Sequence, residues 1–484
     1  QSEIAAVIGD ATVMSFGDVR VLANSNLDIS NTDTVGVSGS LVGIAVNVAS
    51  AEARNTVKAA IRDASVYADT GTVTVKAEAD NKAQTSAKGG AVGALAVGAM
   101  VAETTLGTQS AEEVVAEIGD NSFIRSGNLV LTALSNDDIF ADAQALSAGL
   151  VGIAGASADT ETRQDAVARV GNNVDISTGL LEILADHTQK VDARGDATTF
   201  GLAAGAGVGV NNLVLGQALV DIGENSNLLA NNMRIDANNE LIKERYATGF
   251  NLTSGSAALV SVTVMISRTD IGTDDQAFGA QVDIGNGTLL QVDRAEGDNS
   301  AIIGAESRKA PRIEIETYIN AAAVDNVKVD AVSYLAGGAY GESQIEAELN
   351  AQVNVNGATI VNNAGDIFFT TKTDTLIRPN ANLTVIGGAF AGAYANVDGI
   401  VTSVNEVNLN SATIEGSDIS LYAGQDSIRV PNVMFVIADA QVFTASLFFG
   451  LGIPDVKTRL YENNRVNVLG GTTIEAVSDI RSEE

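Results

Sequence analysis

The side chains able to do chemistry in this chain of 484 residues are mostly carboxylates, and they recur at related places. Asp10, Asp63, Asp120 and Glu224 each close a short block built on Ile-Gly-Asp or a variant of it, while Asp137-Asp138 and Asp274-Asp275 are adjacent pairs. Oxygen ligands of this kind suit a hard cation such as Ca2+. Neither the spacing of an EF-hand nor the Gly-Gly-x-Gly-x-Asp nonapeptide is present, however. Corner Asp and Asn side chains ordinarily satisfy turn amides. The acidic turns are therefore read as structural; Ca2+ is the one ion they could hold, no metal ligand is assigned, and no other cofactor is expected.

Catalytic groups are few. His187 is the only histidine, which rules out a multi-histidine metal site and leaves one imidazole base. It follows the strand-like Leu180 to Ala185 in a polar Asp-His-Thr-Gln-Lys run and reads as part of a solvated turn. Lys243, Glu244, Arg245 and Tyr246 come nearest to the charged and aromatic cluster that a polysaccharide lyase or hydrolase would need. That run reads as an exposed charged segment, in a chain with no Trp and 8 scattered Tyr. Gly201 to Gly209 alternates glycine as a phosphate loop does, but lacks the Gly-Lys-Ser/Thr ending and a following helix. No catalytic or cofactor-binding residue is assigned, and the chain is not expected to be an enzyme.

The elements that carry these residues repeat. Ile8-Gly9-Asp10 returns as Ile61-Arg62-Asp63, Ile118-Gly119-Asp120, Val170-Gly171-Asn172, Ile222-Gly223-Glu224 and Ile284-Gly285-Asn286, with weaker copies at Val355, Leu409 and Val468. The spacing is mostly about 52 to 57 residues. Some ten residues after each anchor comes an alternating segment such as Val19-Arg20-Val21, Val73-Thr74-Val75, Met233-Arg234-Ile235 or Ile313-Glu314-Ile315. Its period of two and β-branched content predict a strand. A Gly/Ala/Ser-rich stretch then leads to the next anchor, as from Gly89 to Ala99. Each unit has an apolar face that it cannot bury alone, and stacking one unit on the next covers it. The expected fold is all-β, a repetitive β-solenoid. One array is expected over residues 1–484, with eight to nine copies of a repeat of about 55 residues and an irregular insertion near 285–354.

Only 4 prolines interrupt the chain, and aromatic residues make up 4% of it. Long hydrogen-bonded ladders and a narrow interior of small and branched side chains follow. Helical character is confined to Asn239 to Tyr246 and Glu112 to Glu117, too little for the helix-bearing repeat classes. A parallel β-helix remains, drawn with coils of about 17 to 25 residues, two or three to each repeat. One wide coil per repeat, or stacked hairpins, is the competing geometry, because Thr198 to Val210 and Thr253 to Ile266 read almost as paired strands.

Asp and Glu number 60 against 28 Lys and Arg, a formal net charge of −32. Such a surface repels phosphate backbones and anionic lipid. Cysteine is absent, so disulfides and thiol chemistry are too. No stretch reaches the roughly 18 to 20 strongly apolar residues of a membrane-spanning helix. The chain starts at Gln1 without a leader and stops soon after a strand-like block at Val466 to Val477, and is expected to be a fragment of a larger protein.

The run Arg54 to Val66, then Gly71-Thr72-Val73-Thr74-Val75-Lys76-Ala77, then Gly89-Gly90-Ala91-Val92-Gly93, resembles the repeat unit of very large bacterial surface proteins, the leukotoxin-type filamentous adhesins and related giant repeat adhesins. The likeness covers essentially the whole chain. It implies a right-handed parallel β-helix, extracellular at the cell surface, acting as the rod or stalk of an adhesive or filament-forming protein, and it transfers no catalytic residues. The handedness and coil number rest on that resemblance. Expected partners are further copies or neighbouring segments of the same protein, and surface glycans or other cells, without nucleic acid and without a membrane span. The alternatives are a glycan- or host-surface-binding β-helix, with the loop Asp293 to Pro311 as its contact, and a polysaccharide lyase or hydrolase. Phe435, Phe443, Phe448 and Phe449 depart from the pattern, and are read as core packing, with a subunit contact as the alternative.

Overall fold

In a computed structural model that describes residues 2–107, 112–273, 275–292, 311–363 and 365–483, every pairing between strands is parallel, and each strand pairs with its equivalents one repeat away. The anchors form one ladder: Ile8 lies on Ile61, Ile61 on Ile118, Ile118 on Val170, and Val170 on Ile222. The ladder continues through Ile284, Val355 and Leu409 to Val468. The second segment forms another, through Val19, Val73, Leu129, Leu181 and Met233, then Ile313, Ile367, Ile419 and Ile480. Both ladders are carried by alternation: inward residues are apolar and stack on their own kind, which specifies the register.

One rung of the stack is thus one whole sequence repeat. The expected two or three narrow coils per repeat are not formed, because register advances by a full repeat at every junction. Strands such as Ser65–Leu106 and Phe123–Val170, 42 and 48 residues long, run out along one arm, round the tip and back along the other within a single rung, so one repeat is used up in one wide coil. The main regular corner follows the anchor and uses a left-handed residue. Asp10, Asp63, Gly357 and Ser411 take it two residues after the anchor, while Asn121, Asn173, Asn225 and Gly287 take it three residues after. Asn, Asp and Gly tolerate this conformation best.

Inside, the rungs enclose two apolar cores. The larger holds the anchors, the corner strands and the first half of the long segments, with Ile61, Ile118, Leu129 and Leu131 fully buried. The smaller lies between the two arms of the Gly/Ala/Ser-rich stretch and is mainly alanine, as in Ala87, Ala91, Ala96 and Ala102. The arms face one another through side chains and take their backbone bonds from neighbouring rungs, so Thr198 to Val210 is not a hairpin. A polar waist divides the cores: Thr85 Oγ1 lies 2.8 Å from Thr104 Oγ1, Thr160 donates to Asn212 at 2.7 Å, and Asn212 donates to Thr269 at 3.1 Å.

Of the two stretches given helical character, one is wholly extended and the other is extended in its first half and a turn in its second. Glu112–Ile118 is a strand, and Asn239 continues a strand to Lys243 before a turn. Residues 244–251 and 272–277 lengthen the interval before Ile284, and 424–433 that before Val468. Most of the loop Asp293 to Pro311, residues 293–310, lies outside the described residues. Replacing Ile118, fully buried in the anchor ladder, by Ala should cost about 2 to 4 kcal/mol, measured as a fall in urea midpoint, with circular dichroism retaining a β spectrum.

Candidate functional site

The corner acids do not converge. Asp120 Oδ1 accepts from the amide of Asn172 at 2.6 Å, and Asn172 Oδ1 accepts from the amide of Glu224 at 2.7 Å. Each side chain thereby caps a backbone donor of the following rung, which accounts for an oxygen-bearing residue at that place. Beside this corner is an open depression of about 810 Å³ lined by Glu117, Asp120, Asp221, Glu224 and Asp283, with Arg169 among them. Several of these carboxylates already have cations: Glu117 meets Lys58 and Arg62, each at 2.6 Å, and Asp221 meets Arg169 at 3.1 Å. Burial pushes the Glu117 carboxyl up, but Lys58 and Arg62 together hold it below its ordinary value. Among the described residues no group of three or more His, Cys, Asp or Glu is arranged to hold a metal. Asp274 lies outside the described residues.

His187 is not in a solvated turn. It lies within the strand Leu180–Phe200, fully buried, with Nε2 2.9 Å from Asp137 Oδ2 and Nδ1 3.3 Å from the Gln189 amide nitrogen. Asp137 in turn accepts from Asn81 at 2.9 Å, and Asn55 donates to Asn81 and to Ser25, both at 2.9 Å. This string satisfies polar atoms along the stack from rung to rung. Asp137 borders a depression of about 510 Å³ with Asp80, Lys82 and Lys190, yet its own side chain and that of His187 are 0% exposed. A substrate reaching the pair would have to part the rungs.

The Lys243 to Tyr246 run divides. Glu244 and Arg245 are exposed, and Arg245 pairs with Asp138 at 3.1 Å and stacks 4.3 Å from the Phe140 ring centroid. Lys243, expected in the exposed segment, is fully buried at the waist. Its ammonium contacts Asp325, with Asp192 at 3.6 Å, while Asp325 also accepts from Asn251 at 2.9 Å and Thr269 at 2.8 Å. Burial raises Asp192, outweighing the pull of Lys243, and Asp325 adds to the rise. The alternation of Met233, Ile235, Ala237, Asn239 and Leu241 already points Lys243 inward, and Leu181, Ile183 and Ala185 do the same for His187. Extending the period of two by one or two residues is the signal that would have found both.

One extended surface carries no charge. Residues 34–51, 89–102, 143–158, 197–220, 252–267, 331–341, 381–397 and 440–454 contain no Asp, Glu, Lys, Arg or His, although the chain has 60 Asp and Glu and 28 Lys and Arg. They form the tips and much of the arms of the smaller core. Leu41, Leu150, Leu202, Leu259, Leu335 and Phe448 sit exposed at the tips of their rungs, with Ala94 between Leu41 and Leu150 and Ala389 between Leu335 and Phe448, and backbone bonds tie neighbouring tips together: Leu202 N to Leu150 O at 2.9 Å, Leu259 N to Leu202 O at 3.0 Å and Phe448 N to Ala389 O at 3.2 Å. Phe435, Phe443, Phe448 and Phe449 are exposed too, rather than core packing.

The chain matches no protein-family model, no curated protein and no solved structure.

Two outcomes test this electrostatic picture. Lys243→Met leaves Asp325 buried without its cation and should cost about 3 to 5 kcal/mol in chemical denaturation. The second concerns Asp236, whose carboxyl burial pushes up to about 7 against Arg234, helped by Glu316 and Glu314. A carboxyl raised in the folded chain holds its proton more tightly there than when unfolded. Its stabilisation is complete below 3.8 and lost as pH rises toward 7. Stability measured from pH 4 to 8 should fall across that window by up to about 4 kcal/mol from this group, and Asp236→Asn should flatten the slope.

Proposed function

We propose that this chain is a β-solenoid segment, a right-handed parallel β-helix, that serves as a non-enzymatic rod or stalk in a large extracellular bacterial surface or filament-forming protein. The observation that carries the reading is the unbroken anchor ladder from Ile8 to Val468. Such a stack spaces whatever is attached to it, and spreads load over many backbone hydrogen bonds per rung. The buried state of the sole histidine and of Lys243 supports a non-catalytic role, since both are engaged in holding rungs together. The resemblance to giant repeat adhesins supports a cell-surface location.

A spacer tolerates loss of a whole unit, whereas a site does not. Deleting residues 171–222 joins Val170 to Gly223 at equivalent positions of the ladder, because Ile222 lies on Val170. The shortened chain should fold and, by cryo-electron microscopy, lose about 4.8 Å from a stack about 40 Å tall. Misfolding of this in-register deletion would count against the modular rod. Release of sugar ends from acidic or neutral polysaccharides by the intact chain, abolished by one Asp or Glu substitution, would replace it with the enzyme reading.

A further inference from the structure

We infer that the uncharged face of the smaller core is the seat of a second copy of this chain, packed side by side with the first. The face is the outward side of the return arm together with the tip column. One column of it passes through Val97, Ile153, Gly205, Val262, Gly338, Gly392 and Leu451, aligned rung by rung. The columns on either side are likewise uncharged: Leu95, Val151 and Phe390 on one, Val264 and Tyr340 on the other. Ile153 is 48% exposed and Val262 56%, in a structure whose inward residues are nearly all sealed.

Glycine placement is a second, independent observation. At Gly155, Gly205, Gly207, Gly338 and Gly392 a side chain would meet open space, and none of them has the left-handed backbone that requires glycine. Neither packing nor local geometry within the chain asks for glycine there. Glycine weakens a strand, and in a strand interior it often marks a bulge, a tight bend, or the close approach of another backbone or a ligand. Here the five lie on the outside of one face, leaving it flat where a partner sheet would touch.

Size and charge choose the occupant. Three alternate positions and the tip span about 20 Å along the strands, and eight rungs about 34 Å across them. That is close to the roughly 800 Å² per partner of a standard interface, and above the largest apolar patch usual on a monomer. Two chains of net charge −32 repel each other through most of their surfaces. The face that carries no charge is where they can meet without opposing like charges. A bilayer is a poorer fit: the residues flanking the face include Glu103, Asp159, Glu342, Asp398 and Asp455, a mainly acidic border that anionic lipid repels.

This inference deepens the rod reading and rests on it for its purpose, but stack height tests the rod whereas mass tests the pair. Sedimentation equilibrium of the intact chain at about 100 μM should give a two-chain mass whose fraction rises between about 0.15 and 0.5 M NaCl, as screening removes the repulsion. Ile153→Lys combined with Val262→Lys should weaken association at least tenfold. Gly205→Val with Gly207→Val should fold at least as well, since both side chains enter open space, and also weaken association at least tenfold by holding the faces apart. A chain that stays monomeric at both salt concentrations overturns the inference. So does association unchanged in the glycine variant, and so does a monomer that co-floats with neutral phosphatidylcholine vesicles, which would assign the face to lipid.

Discussion

Everything in this molecule depends on parallel pairing at a register of one whole repeat. Once Ile61 sits between Ile8 and Ile118, every other residue of the rung is placed against its own equivalents above and below. A parallel ladder leaves no freedom to slip by one residue, because that would turn each inward side chain outward. The chain therefore builds columns rather than a single jigsaw core. A column of isoleucine and valine is self-consistent, and so is a column of asparagine.

The polar columns follow from the same constraint. A buried amide or carboxylate has apolar neighbours within its own rung, so its partner must come from the rung above or below or from across a narrow waist. Asn81 finds Asp137, Asp137 finds His187, and Thr160 finds Asn212 in this way. The Lys243, Asp325 and Asp192 cluster lies where residues 244–251 leave the regular rung, and the interior there holds two carboxylates for one ammonium. The raised Asp192 carboxyl fits that imbalance, since protonation leaves one anion for one cation. Removing one member of such a buried group costs more than the intact group contributes, because it leaves an uncompensated charge in the interior.

Charge is distributed as unevenly as polarity. The larger core is wrapped in carboxylates, often paired along or across rungs, while the tip and most of the return arm of the smaller core carry no charge, and the charged residues of its outgoing arm, such as Lys88, Asp142 and Arg194, lie farther from the tip. Alanine inside lets the two arms approach closely, and glycine, leucine and phenylalanine outside leave an apolar edge. Solubility then rests on one part of the rung, and the other part is left for contact.

Much of the architecture was legible in the sequence because a repeat states its own neighbours. All nine anchors fall on one ladder, and the second segments fall on another, as self-similarity and a period of two dictate. Alternation also marked His187 and Lys243 as inward, though their polarity argued for the surface; a fully buried polar group needs a partner, and its partners are about 50 to 80 residues away in sequence. The width of the rung was not legible. Corner residues show where the chain can bend but not whether it does, and Gly/Ala stretches are compatible with narrow coils or with long facing arms. Only the tertiary structure decided that, because the choice depends on which distant segments share one core. The same holds for the uncharged edge: its composition is visible in eight separate stretches, but their alignment into one face exists only after the rungs are stacked.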